Sequence, residues 1–194
     1  MNETHERVAI HGVWREILAR QALALGVPLI EVPLPYICTN ELYLERMNAA
    51  LAKLAYDGAQ DHICGDLALA DLRAWREDIL TGQNLRAHFS LFGLDTAEVT
   101  REIIAAGIKA YVVALDPQKL PPNLCGTVFD QKFLADLPQN VDPCGENGEF
   151  HTLVCNSPDF AAPVDLMHGE TVTRDGFVYT DFMLAQTGPV LGSD

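Results

Sequence analysis

Two periodicities alternate along the first 115 residues, and this restricts the fold more than any other feature. A helix is predicted from about His5 to Leu25, where Ile10, Val13, Trp14, Ile17, Ala24 and Leu25 recur at 3–4 spacing and Gly26 can end it. Pro28–Val32 (PLIEV) reads as a short buried strand. Asn40 can cap a second helix with the face Leu44, Met47, Leu51 and Leu54, closed by Gly58. A brief strand, His62–Cys64, runs into Gly65-Asp66; a third helix covers Leu69–Leu80; Ala87–Phe92 is another strand. Asp95-Thr96-Ala97-Glu98 is a capping box for a fourth helix that stops at Gly107. Lys109–Leu115 (KAYVVAL), rich in β-branched and aromatic residues, is the clearest strand. Strands that alternate with helices imply an α/β fold with a parallel sheet of four or five strands, because parallel neighbours need crossovers.

After Pro117 the pattern changes. A short helix is predicted near Phe129–Leu137, then a strand at Thr152–Cys155. A hairpin follows, pairing Val164–Thr173 with Phe177–Leu184 across Arg174-Asp175-Gly176, where Asp-Gly signals a type I′ turn. The expected division is a parallel-sheet core over residues 1–116 and a small α+β extension over 117–194. No strand precedes the first helix, so the chain is expected to start inside a βαβ unit; the missing strand is then encoded upstream, the favoured account, or the chain is a remnant stabilised by self-association. Part of the stripe Ile10, Val13, Trp14 and Ile17 is then expected to be underpacked, or covered by a second copy in a homo-oligomer.

Charge removes several function classes. Thirteen Lys+Arg against 27 Asp+Glu give a net charge of −14, which repels phosphate backbones and anionic lipid. Nucleic acid and membrane are therefore not expected partners, and no apolar run reaches the ~20 residues of a membrane span. Five cysteines, an odd number with no C-x-x-C, point to reduced thiols and a cytoplasmic protein.

The densest chemistry lies at Asp142–Thr152, DPCGENGEFHT. Glu146 and Glu149 can hold Mg²⁺ or a substrate ammonium, Asn147 and Thr152 can orient a ligand, and His151 can carry a proton. The plain alternative is a solvated Asn-Gly turn. Gly65-Asp66 sits where a parallel strand ends, the place where open α/β sheets bind ligands; alternatively Asp66 caps the next helix. Arg73 and Glu77 are i,i+4 on the third helix, as are His11 and Arg15 on the first, and a solvated pair is the plain account of each spacing. G-x-S-x-G, H-E-x-x-H, G-x-G-x-x-G and Walker A sequences do not occur.

On these residues the chain resembles the N-type ATP pyrophosphatases that include diphthine–ammonia ligase. Asp142–Thr152 is similar to their later signature, Asn2–Val13 to the segment after their first strands, and Gly65–Glu77 (GDLALADLRAWRE) to their GD-x₆-R-x₃-E stretch. Pro28–Pro35 and Gly176–Phe182 match in style. The resemblance implies a Rossmann-like fold of the adenine-nucleotide α-hydrolase type. It implies activation of a diphthine carboxylate on elongation factor 2 by ATP and Mg²⁺, attack by ammonia, and release of AMP and pyrophosphate. It further implies Glu146, Glu149 and His151 as catalytic groups, Asn147, Gly148, Thr152, Arg73 and Glu77 on the substrate side, and Gly65, Asp66 and His11 near the nucleotide. One departure is large: the family's phosphate-gripping SGGKDS has no counterpart in these residues. The chain is therefore expected to bind ATP weakly and to release no pyrophosphate. The alternative is a non-catalytic adenine-nucleotide or metabolite binding module.

Overall fold

The computed structural model describes residues 1, 7–8, 11–35 and 37–185. Helix α1 (Arg15–Leu25) is followed by α2 (Asn40–Tyr56), strand β1 (Asp61–Ile63), α3 (Ala70–Leu80), β2 (Arg86–His88), α4 (Thr96–Ala105) and β3 (Lys109–Leu115). Then come a 3₁₀ turn at Pro122–Leu124, α5 (Gln131–Asp136), β4 (Phe150–Asn156), β5 (Leu166–Arg174) and β6 (Phe177–Leu184). The fold is α/β, with two sheets. β1 and β2 form a parallel pair, with His62 opposite Ala87, while the larger sheet has the order β4-β3-β6-β5 and is antiparallel throughout.

The parallel sheet of four or five strands is thus reduced, among the described residues, to one pair. KAYVVAL is a strand as expected, but it pairs antiparallel with β4 (Leu115 opposite Phe150) and with β6 (Ala114 opposite Tyr179). β3 lies before the expected boundary at Pro117, and its partners lie after it. PLIEV is not a strand. Its backbone is met at one end by the chain's first residue, whose ammonium donates to the Val32 carbonyl at 2.9 Å and whose carbonyl accepts from Leu34 N at 2.8 Å.

The first helix begins ten residues later than its apolar spacing suggests, counting from His5 to Arg15. Gly12 at φ +66° turns the chain, Val8 N donates to the Val13 carbonyl, and Arg7 bridges to Trp14. His11 therefore lies before the helix, and Arg15 pairs with Glu31 at 2.7 Å rather than standing over His11. Helix α2 is capped by Thr39, whose hydroxyl accepts from Leu42 N, one residue before the expected Asn40. The Asp95 cap is as expected: its carboxylate accepts from Glu98 N at 2.9 Å. So is the type I′ turn, with φ 51° at Asp175 and 83° at Gly176.

Each face of the antiparallel sheet covers its own core. Alternation on β3 sends Val112 into a cluster with Phe129, Phe133, Phe150 and Val178, and Val113 into another with Val13, Ile17, Leu153 and Phe182. Val13 is 9% exposed and Ile17 0%, so these two members of the expected stripe are packed, while Trp14 is half-buried. Full burial of a side chain such as Ile17 stabilises by about 2 kcal/mol. Ile10 lies outside the described residues. Near the parallel pair, Tyr43 of α2 and Trp75 of α3 stack with centroids 6.0 Å apart. The same strands hold a charged cluster in which Asp61 accepts from Arg86 at 2.8 Å and lies 2.7 Å from His88 Nε2. No described helix is long and apolar enough to cross a membrane.

Candidate functional site

The Asp142–Phe150 loop is built by its own carboxylates. Asp142 Oδ1 accepts from Cys144 N at 2.8 Å and Glu146 N at 3.3 Å, while Oδ2 accepts from the Thr96 hydroxyl at 2.7 Å, tying the loop to the start of α4. Glu149 points back into the loop. Its Oε2 accepts from Asn147 N at 2.9 Å, and its Oε1 from Asn147 Nδ2 at 3.1 Å and Asp142 N at 3.3 Å. Glu149 is 3% exposed. Three of the roughly four acceptor sites of this carboxylate are thus used within the loop, so Glu149 and Asn147 both help to hold its shape. Gly145 (φ +70°) is obligatory here, since a Cβ would lie 2.8 Å from the Phe150 carbonyl oxygen. Gly148 (φ +74°) supplies the second left-handed turn, with open space around it.

Glu146 leaves the loop and crosses to the other sheet. Its Oε1 accepts from Leu67 N at 2.9 Å and Ala68 N at 3.0 Å, in the connection between β1 and α3. Below this contact lies a cavity of about 340 Å³. Gly65, Leu67 and Leu91 line it from the β1–β2 side, Val99 and Ile103 from α4, and Phe129, Cys144, Glu146, Phe150, Thr152 and Val154 from the antiparallel unit. Of the expected convergence of Gly65-Asp66 with the Glu146–Thr152 loop, Gly65 shares the cavity with Glu146 and Thr152, while Asp66 does not line it. Burial, helped by Asp142 and Glu146, pushes the Cys144 thiol up to about 11, so it lines the wall as a neutral thiol. Its Sγ donates to the Thr96 carbonyl at 3.3 Å.

Residues 95–181 match the diphthamide synthase C-terminal domain. The match supports the diphthine–ammonia ligase family, broadly drawn. A search of curated proteins gave no match. The diphthamide synthase region starts at the Asp95 cap and includes the whole 142–152 loop, together with β3, β4 and β5. Gly65, Asp66, Arg73, Glu77 and His11 lie outside it.

Within that region, β4 separates two residues that are adjacent in sequence. Phe150, Thr152 and Val154 face the cavity, while Leu153 belongs to the core on the opposite face. His151 faces away with Leu153 and meets His11, ring centroids 4.5 Å apart. Burial, then the neighbouring His11, lowers His151 to about 4, and burial lowers His11 as well. The pair is neutral near pH 7 and stands beside a separate cleft of about 120 Å³ lined by Arg7, His11, Glu170 and Asp181 among others. His151 and His11 are thus not among the residues that line the larger cavity.

The remaining expected residues stay on α3 or at its approach. Arg73 Nε donates to Glu77 at 3.0 Å, the solvated i,i+4 pair, and its guanidinium lies 4.8 Å from the rings of Phe89 and Phe92. Neither Arg73 nor Glu77 lines the cavity. Asp66 is buried and pairs with Arg76 at 2.6 Å instead of capping α3, which has no side-chain cap. Sequence reasoning missed Asp142, Thr96 and Cys144. The Asp-Pro-Cys-Gly order, an Asx-turn composition, was the available signal for Asp142.

Proposed function

We propose that the chain carries the acyl-substrate side of a diphthine–ammonia-ligase-like amidoligase, with ammonia as nucleophile. One observation carries the reading: the diphthamide synthase match contains the loop whose Glu146 stands over a cavity large enough for a substrate side chain. Among the described residues no donor reaches Glu146 Oε2, so this oxygen can accept from ammonium and take its proton, leaving ammonia with the lone pair that attacks an activated carbonyl. Thr152 offers a hydroxyl on the same wall. In this reaction class ATP activates the carboxylate and leaves as AMP and pyrophosphate.

The residues fit only part of that cofactor. The apolar wall suits a flat base, but no basic side chain lines it, and among the described residues no cluster of three or more His, Cys, Asp or Glu is placed to hold a metal. The described lining thus offers a triphosphate no counter-charge, and the purified chain is expected to release pyrophosphate only at background with ATP, Mg²⁺ and ammonia. The same observation favours a second reading, a non-catalytic adenine-nucleotide or metabolite module. Binding separates the two. Diphthine-bearing elongation factor 2 should be retained by the chain and lost on Leu91→Arg, which fills the cavity from its exposed rim. If the elongation factor is not retained while adenosine binds as tightly as ATP, the amidoligase reading is wrong and the module reading stands.

A further inference from the structure

Among the described residues, the hydrogen bonds that join the 61–93 segment to the 95–185 unit are the two accepted by Glu146 Oε1 from Leu67 N and Ala68 N. The segment is otherwise tied to itself. Cys64 N donates to the His88 carbonyl, Gly93 N to the Leu67 carbonyl, and Asp66 pairs with Arg76. The 142–149 loop, in contrast, is held rigidly by Asp142, Glu149 and the Thr96 hydroxyl. One side chain from a fixed loop thus grips a connection that has few other ties, and it does so at the rim of a cavity walled by both parts.

We infer that Glu146 is a positioning residue, a latch that holds the 65–68 connection against the antiparallel unit and so sets the width of the cavity mouth. This rests on the proposed site but concerns its assembly: Oε1 is committed to the connection, and Oε2 alone is left for a ligand. The latch needs an acceptor and no charge. Glutamine keeps an acceptor oxygen at the same reach, whereas alanine removes it.

Amide hydrogen exchange of the ligand-free chain tests this without any assumption about substrate. In Glu146→Ala the Leu67 and Ala68 amides should exchange at least about tenfold faster, since both lose the oxygen that accepts from them. The β3 amides of Val112 and Val113 should be unchanged. Glu146→Gln should restore most of the protection at Leu67 and Ala68. If glutamine exchanges as fast as alanine, the effect is one of charge and the latch is overturned. It is also overturned if the β3 amides lose protection together with Leu67 and Ala68, because Glu146 then supports the whole fold. A failure of elongation-factor binding, with the exchange result intact, would reject the proposed substrate and leave the latch standing.

Discussion

Replacing Glu149 by alanine should destabilise the fold by about 3 kcal/mol, working from the three donors it satisfies. The strongest is Asn147 N at 2.9 Å; the Asn147 side chain follows at 3.1 Å and Asp142 N at 3.3 Å. With the carboxylate gone, the side-chain amide can turn to water. The two backbone N–H groups lose their acceptor, and each costs roughly 1–3 kcal/mol when left without one, the longer Asp142 contact falling at the low end. Relaxation of an exposed loop would offset some of this, but Phe150, which follows at once, is 2% exposed and fixes where the loop must end. Glu149→Gln should cost less, about 1.5 kcal/mol, because one oxygen remains while the new NH₂ faces donors. Urea unfolding followed by circular dichroism is the assay. The midpoint should fall with the slope unchanged, and the thermal midpoint should drop by roughly 6–12 °C for alanine in a chain of this size. A Glu149→Ala midpoint within about 0.5 kcal/mol of the parent would refute the structural role of Glu149.

Acid should weaken the fold through His151. Its folded value of about 4 lies below the ordinary 6.5, so the unfolded chain binds the proton first; stability is intact above about pH 6.5 and falls as pH drops toward 4. Partial solvent access screens the effect to about 1–2 kcal/mol, and His151→Leu should flatten the pH profile in this window; a parallel profile for the variant would exclude His151 as its source. Gly145→Ala should cost more than Gly148→Ala by at least about 1 kcal/mol, since both pay the left-handed backbone cost but only Gly145 would meet a carbonyl oxygen at 2.8 Å. Equal losses in chemical denaturation would show that the β4 start yields freely.

Local chemistry made some elements legible. Asp175-Gly176 takes the two positive φ values of a type I′ turn, and Asp95 caps α4, because each signal is complete within four residues. KAYVVAL was legible as a strand but not its partners: β-branched residues favour pleated backbone without specifying the direction of the neighbour. PLIEV also carries β-branched residues and remains coil, since a strand needs a neighbour to accept its ladder. In the site, the meeting of the 142–152 loop with Gly65 followed from sheet logic, yet the Glu146 contact spans 79 positions and no local pattern encodes it. The separation of His151 from Thr152 was available and unused. His151 and Thr152 are adjacent on β4, and a strand's period of two sends neighbours to opposite faces.

The sheet order has a consequence during synthesis. β3 sits between β4 and β6, and the last of these begins at Phe177, 62 residues after Leu115. At the usual pace of translation, β3 waits about 3–12 s for its second neighbour. For that interval a nascent KAYVVAL, with one charge and no proline, offers a free edge of the kind that pairs with other chains. Ribosome-bound chains ended after Asn156 should therefore be captured by a holding chaperone more than chains ended after Ala185, and equal capture would mean that β4 alone is shield enough.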